Sequence, residues 1–423
     1  MTGLADCNNF FVSCERSLDP SLEGIPVVVL SNNDGCAIAR SNEAKRLGIK
    51  MGQPAFELRS LIASGKLTAL SGNHLLYRDI SLKVHSIFRR FVPAAIDYSV
   101  DESFLDFSGI PDDVLPSIAE GIRRTCLEEL RIPVTIGIAA TKTLAKICTH
   151  SCKHRGEGVG VLTDRKEIES ELNGLAINEL WGIGRRLTRR LTSEGVYSIG
   201  DFYRRPLIWV RSTLGVNGER SWRELHGESC IELNHVDRAI QDSVSESRTF
   251  PFDTDSYDYI RARIAIYTAD CARKLRAMNG LTRQLTVYLA SNRFHTENGY
   301  YAPSAGMRFE RPTSDTTLLV STAIECLRGI ITPGLGYKRA GVILSDIIPA
   351  GPVTPSLFDE LPDPADIRRA GTDRKRAEAL DKAIDRINRD IGAPRLRLAS
   401  QLTPGHPGHN DGYSSSFQAP SRR

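Results

Sequence analysis

Tyr98-Ser99-Val100-Asp101-Glu102-Ser103-Phe104 reads as the end of a strand, a tight acidic turn and the start of the return strand. Ala95 to Val100 forms the outgoing strand and Ser103 to Phe107 the return. Far earlier in the chain, Asp6 closes the short apolar start Leu4-Ala5. Cys7-Asn8-Asn9-Phe10-Phe11 follows it, as a strand running into a helix. Together the two stretches place three carboxylates at the ends of neighbouring strands. Phosphoryl transfer by two divalent ions ~3.5–4 Å apart needs such an arrangement, and hard oxygen ligands suit Mg²⁺. In that reading Asp6 and Asp101 bridge two Mg²⁺ ions. Glu102 completes the ion on the attacking side, and the backbone carbonyl of Cys7 completes the other. An Asp-Glu pair by itself reads as a solvated turn; two acidic sites in one domain favour the metal reading without deciding it.

The rest of the chain bounds the problem. Its 423 residues exceed one hydrophobic core, so roughly two to four domains are expected. A net charge of +4 is compatible with a polyanionic partner but does not demand one. No apolar run approaches the ~20 residues of a membrane-spanning helix, and the N-terminus lacks a secretory pattern; no membrane partner is expected. Nine cysteines, an odd number, sit mostly in apolar segments. Cys148 and Cys152 share a helix with His150 and His154, but the two pairs point to different faces. They read as reduced thiols of a cytoplasmic protein rather than as one metal site.

The periodicity predicts mixed α and β structure, without the strict alternation of a doubly wound sheet. Ile25 to Leu30 is a buried strand, Cys36 to Ala39 a short one, and Asn42 to Leu47 a helix closed by Gly48. Helices are expected over Tyr77–Phe91, Leu115–Leu130 and Lys142–Lys153, with a strand at Val134–Ala139. Short helices follow from Ile177 to about Gly227. Residues 244–349 read as a small sandwich of four strands and two helices, including strands near Tyr300 and Phe309. Beyond Pro349 the chain turns polar, with a charged helix over 373–390 and a disordered end.

Four further constellations carry chemistry. Phe10-Phe11 is either helix-start core or a ring beside the sugar of a bound nucleotide. Asp34-Gly35-Cys36-Ala37-Ile38-Ala39-Arg40-Ser41-Asn42-Glu43-Ala44-Lys45 offers a low surface to a base pair, with Lys45 in reach of a triphosphate; ordinary strand-to-helix packing is the alternative. Lys142, Lys146 and Lys153 share similar faces of one helix, a phosphate-contacting row or a solvated basic face. Leu180-Trp181-Gly182-Ile183-Gly184-Arg185-Arg186-Leu187, with Arg189 and Arg190 after it, reads as a helix–hairpin–helix. Its glycines permit the turn, and the amides opening the second helix can grip a DNA phosphate.

In this order, these pieces resemble the Y-family translesion DNA polymerases, UmuC-type: the catalytic subunit of bacterial DNA polymerase V and its plasmid-borne relatives. The likeness covers about residues 3 to 350. It is most specific in Val28–Cys36, Asn42–Lys45, Tyr98–Glu102, Thr141–Lys146 and Trp181–Arg186. The resemblance implies an α+β multidomain right-hand polymerase. The palm covers 1–25 and 78–165, the fingers 26–77, and the helical thumb 166–233. A linker at 234–243, a little finger at 244–349 and a tail at 350–423 complete the chain. It implies catalytic roles for Asp6, Asp101 and Glu102, a steric gate at Phe11 beside Phe10, and triphosphate contacts from Lys45 and Lys153. Cys36 and Ile38 fall against the nascent base pair; Gly182, Gly184, Arg185, Arg186 and Arg189 fall on DNA. Two departures stand out. Asn42 replaces a Tyr common outside the UmuC type, and Thr354-Pro355-Ser356-Leu357-Phe358 keeps the Leu357-Phe358 anchor of a sliding-clamp peptide without its leading Gln.

The implied activity is template-directed, low-fidelity DNA synthesis past lesions in an SOS-type response. The implied partners are primer-template DNA, dNTP, an UmuD-like subunit, a recombinase filament and the clamp. A catalytically inactive DNA-binding accessory protein of the same fold, or a two-metal nuclease, are the rival readings.

Overall fold

A computed structural model of the chain describes residues 1–31, 35–232, 241–293, 299–351, 364–391 and 396–402. They fall into two units, within Met1–His235 and Val236–His409. In chain order the first unit contains β1 (Thr2–Cys7), α1 (Phe10–Leu18), β2 (Val27–Leu30), β3 (Ala37–Arg40), α2 (Asn42–Arg46) and α3 (Ala55–Ala63). Next come β4 (Thr68–Ser71), α4 (His74–Phe88), β5 (Ala94–Asp97), β6 (Glu102–Asp106), α5 (Leu115–Leu130) and β7 (Val134–Ala139). It ends with α6 (Lys142–Arg155), β8 (Val159–Leu162), α7 (Arg165–Gly174), α8 (Arg185–Ser193), α9 (Ile199–Tyr203) and α10 (Leu207–Leu225).

Five strands form one sheet in the order β5-β6-β1-β7-β8, and three form another in the order β3-β2-β4. β1 lies at the centre of the larger sheet and is antiparallel to both neighbours. Its apolar residues Leu4 and Ala5 are buried, and Asp6 is half-buried between them and the buried Cys7. Two strands were not anticipated from the pattern. β4 and β8 each pair in parallel with a neighbour at a sheet edge, and their short mixed sequences lack a clear alternation. The expected strand Ala95–Val100 stops at Asp97, because Tyr98 and Ser99 turn back to bond the carbonyl of Glu102, both at 3.0 Å.

α6 lies against β1, β7 and β8 at unusually close range. A Cβ on Gly137 would collide with the backbone and hydroxyl of Thr149, and one on Gly160 with the thiol of Cys152. The Gly137 N–H donates to the Thr149 hydroxyl at 3.0 Å, and that hydroxyl lies 2.9 Å from the carbonyl of Leu4. The N-terminus of α6 is held by the buried carboxylate of Glu224 on α10. Glu224 accepts backbone N–H groups from Thr143, Cys230 and Ile231 at 2.9–3.0 Å. The described cysteines are all free, and seven of the nine are buried.

The second unit contains β9 (Ser243–Thr254), α11 (Tyr257–Ala277), β10 (Gly280–Ser291), β11 (Ser304–Thr313), α12 (Thr316–Ile330), β12 (Tyr337–Pro349) and α13 (Pro364–Ile391). Its antiparallel sheet has the order β11-β10-β12-β9, and α11 and α12 bury their apolar faces in one core with it. The strand expected near Tyr300 does not form; Tyr300 precedes β11 in irregular chain. β9 begins at Ser243, inside the span read as a connector. The charged helix expected over 373–390 is longer and is anchored. Arg276 of α11 bonds both oxygens of Asp385 at 2.8 and 3.0 Å, and reaches Asp381 at 3.2 Å. Leu357 and Phe358 lie outside the described residues.

Replacing Gly137 with Ala should push α6 off the sheet and cost about 1–3 kcal/mol. Chemical denaturation of the two proteins measures it, and an unchanged midpoint would contradict the close-packing account.

Candidate active site

Backbone pairing assembles the acidic centre. Asp6 on β1 stands directly opposite Glu102 on β6, and the N–H of Cys7 donates to the carbonyl of Asp101 at 2.9 Å. The acidic turn is shaped by Ser99. Its hydroxyl donates to Asp101 Oδ1 at 2.6 Å and accepts the N–H groups of Asp101 and Glu102 at 3.2 and 3.0 Å. Such hydroxyl turns hold a loop in one conformation, so two carboxylates are fixed beside a third.

α6 answers these charges with two cations, two turns apart. Lys153 Nζ lies 2.5 Å from Asp6 Oδ1, and Lys146 Nζ lies 2.6 Å from Glu102 Oε1. Lys146 also stands 5.1 Å from the centroid of the Tyr98 ring. The Tyr98 hydroxyl accepts from Trp181 Nε1 at 3.1 Å. Burial raises the Asp6 carboxyl to about 6 from its ordinary 3.8, against the opposing pull of Lys153 and with a further push from Glu102 and Asp101. A buried acid flanked by two others is a place where added positive charge is favoured.

A cleft of about 230 Å³ opens beside this centre. Asp6, Cys7, Asp101 and Lys153 line it from the large sheet and α6; Ile38, Arg40 and Lys45 line it from β3 and α2. Phe11 also lines it, with its ring stacked on Tyr77 at 4.4 Å and 17°, and edge-on to His74 at 5.8 Å. Phe10 touches the cleft, but its side chain belongs to the core at 4% exposure. Opposite the acids the cleft is cationic. Burial, then the neighbouring Arg40 and Lys153 charges, hold Lys45 below the usual lysine value. The buried Nε of Arg40 has no hydrogen-bond partner. An anion bound there would relieve both.

The hairpin at Gly182-Ile183-Gly184 takes the expected turn. Gly182 adopts φ 90°, a left-handed conformation open to glycine. Gly184 caps α8 without any side-chain bond, so the first amides of α8 are free of a side-chain cap. Arg185, Arg186, Arg189 and Arg190 are exposed. The element before the turn is shorter than expected, a single 3-10 turn over Ile177–Glu179.

Two family models match the chain: the impB/mucB/samB family over residues 5–150, and its C-terminal domain over 241–357. Protein ImpB of Salmonella typhimurium is 35% identical over 393 residues, 92% of this chain and 90% of its own. The chain belongs to this family. Protein UmuC of Salmonella typhimurium is 34% identical, covering 95% and 93% of the two chains. DNA polymerase IV of Moorella thermoacetica is 27% identical over 95% and 96%. Among solved structures, a Y-family DNA polymerase chimera of Dbh and Dpo4 matches with a TM-score of 0.69 at 22% identity. It covers 82% of this chain and 99% of that one. The fold is therefore the Y-family right hand, and the chain is a translesion DNA polymerase of the UmuC type.

Of the residues singled out in the sequence, Asp6, Cys7, Phe10, Phe11, Ile38, Lys45, Asp101 and Lys153 share the cleft, and Glu102 stands beside it. Cys36 does not line it; it lies two residues before Ile38 in a bridge to Pro54. Arg40, Ser99, Tyr77 and His74 were read without a specific role, and Lys146, read in a phosphate-contacting row, pairs with Glu102 instead. For Lys146 the helical spacing from Lys153 was the available signal; for Tyr77 and His74 there was none, because their helix contacts Phe11 only through the tertiary fold.

The raised Asp6 pKa carries a stability consequence. The folded state holds the proton more tightly than the unfolded chain, so stability should fall as pH rises from about 4 to about 6, then level off. In chelator-treated protein, Asp6→Asn should remove that slope in pH-dependent denaturation. A slope unaffected by Asp6→Asn would mean Asp6 ionises normally.

Proposed function

We propose that this polymerase extends a DNA primer opposite damaged template bases by two-metal nucleotidyl transfer, using Mg²⁺. The observation that carries the reading is the placement of Asp6, Asp101 and Glu102 across one strand pair, facing a cationic cleft that contains Phe11. The donor set is all oxygen, and burial with the nearby Glu102 and Asp101 outweighs the one lysine on Asp6, so these residues fit hard divalent ions. Asp6 and Asp101 would hold both ions, Glu102 the one on the primer side and the Cys7 carbonyl the other. When bound, the pair would ease deprotonation of the primer 3′-hydroxyl and neutralise charge on the departing pyrophosphate.

The chain's own groups do the rest. Lys153, Lys45 and Arg40 draw the triphosphate into line by charge. Phe11, braced by the flat face of Tyr77, fills the space a 2′-hydroxyl would need. Ile38 presents a low surface to the nascent pair, and Cys36 lies two residues before it, ahead of β3. Gly182, Gly184, Arg185, Arg186 and Arg189 hold the DNA backbone through free amides and exposed charge.

The sheets support the division into domains. The strands of the large sheet fall within 1–25 and 78–165, read as palm, and the small sheet falls within 26–77, read as fingers. The helices over 166–233 suit the thumb, and the four-stranded sheet with its helices suits the little finger. α4 begins at His74, so the fingers–palm boundary falls inside a helix. An UmuD-like subunit, a recombinase filament and a sliding clamp engaged through Leu357-Phe358 are read as partners on the strength of the family resemblance. Action in the cytoplasm, at the nucleoid, in an SOS-type response rests on the same ground. No described helix is long and apolar enough to cross a membrane.

Primer extension across a defined lesion, with Mg²⁺, dNTPs and the accessory proteins, tests the reading. Asp101→Ala should lower extension at least about 10²-fold while DNA affinity stays within about twofold; retained activity would remove Asp101 from the metal site. Phe11→Ala should raise ribonucleotide insertion relative to deoxyribonucleotide by at least about tenfold. Unchanged sugar selectivity would assign Phe11 to packing alone.

A further inference from the structure

His150, His154 and Glu179 meet away from the acidic centre and have no part in the chemistry above. His150 and His154 are one turn apart on α6, so both imidazoles leave the same face; their ring centroids are 4.4 Å apart. Glu179 closes the 3-10 turn Ile177–Glu179 and comes to the same point from a distant part of the chain. One donor atom from each of the three lies within 4.8 Å of the others. His150 Nε2 and Glu179 Oε2 form an ion pair at 2.6 Å. That pair already draws two of the three donors together, and a bound ion would take the place of the proton they share.

We propose that these three side chains bind one divalent ion of the zinc class, distinct from the carboxylate site. Two imidazoles and a carboxylate are a borderline donor set that suits Zn²⁺, at Zn–N distances of ~2.0–2.1 Å and Zn–O of ~2.0–2.2 Å, with water as the fourth ligand. Mg²⁺ prefers oxygen alone. The two sites therefore sort two kinds of ion by donor chemistry. Cys148 and Cys152 do not compete for this ion. They are buried, and the nearness of Cys152 Sγ to Gly160 places it against β8. His154 and Glu179 are exposed.

The ion would join α6 to the segment that leads into the arginine hairpin. α6 carries Lys146 and Lys153, so a bound ion would staple the lysine helix to the entry of the DNA-binding hairpin. Its role is positional rather than catalytic.

The test uses the full chain, stripped with chelator and titrated with Co²⁺ as a spectroscopic substitute in excess Mg²⁺, which keeps the carboxylate site filled. The expected result is one Co²⁺ per chain with tetrahedral absorption, no thiolate charge-transfer band, and displacement by Zn²⁺. His150→Ala and His154→Gln should each weaken that binding at least about tenfold. His154 is exposed, so His154→Gln stands as the informative variant if His150→Ala folds poorly by circular dichroism. Absence of tetrahedral Co²⁺ at micromolar protein, a thiolate band, or binding unaltered in His154→Gln would overturn the proposal.

Discussion

The antiparallel pairing of β1 with β6 is the constraint on which the rest depends. It sets Asp6 across from Glu102 and brings Asp101 against Cys7 through a backbone hydrogen bond. Like charges so placed repel, and moving the two backbones apart would relieve them. The ladder and the Ser99 turn do not allow the backbone that relief. The strain is met instead by cations, Lys153 on Asp6 and Lys146 on Glu102. Those lysines reach the acids because α6 lies so close to the sheet, and it lies so close because Gly137 and Gly160 have no side chains to keep it off. Two glycines in strands thus have an electrostatic consequence at the active site.

The lysine pairs have a second meaning. A carboxylate cluster held together by ammonium groups is already organised for positive charge. Metal ions there would compete with the lysines, and Lys153 would then be free to face the triphosphate that also enters the cleft. Arg40 and Lys45, crowded by cations and partly desolvated, complete a surface that favours an anion. Metal and nucleotide are therefore expected to support one another's binding, each supplying the charge the other side lacks.

Much of this was legible in the sequence, for physical reasons. The strand–turn–strand around Asp101 shows in its alternation, α6 in its lysine and apolar spacing, and the hairpin in its glycines and arginines. What was not legible depends on tertiary contact. β4 and β8 are parallel edge strands with no periodic signal of their own. Phe10 and Phe11 are adjacent and chemically alike; only the packing of α1 sends one into the core and the other onto Tyr77. Tyr300 has strand propensity, but the chain about it meets β10 only through isolated bonds, such as Ser291 N–H to the Tyr301 carbonyl at 2.9 Å, rather than a continuous ladder. α13 reads as a charged helix, and only its contacts with the half-buried Arg276 and with the Thr316 N–H reveal that Asp381 and Asp385 are anchors. His150 and His154 were visible as a pair, but Glu179 joins them from a segment that sequence spacing could not connect.

The most direct measurement of the central claim is a Mn²⁺ count by electron paramagnetic resonance on the complex with primer-template and a non-hydrolysable dNTP. The account predicts two ions bound per chain, close enough to be magnetically coupled, with the coupling lost in Asp6→Asn. A single uncoupled ion, or a coupled pair that survives that substitution, would contradict it.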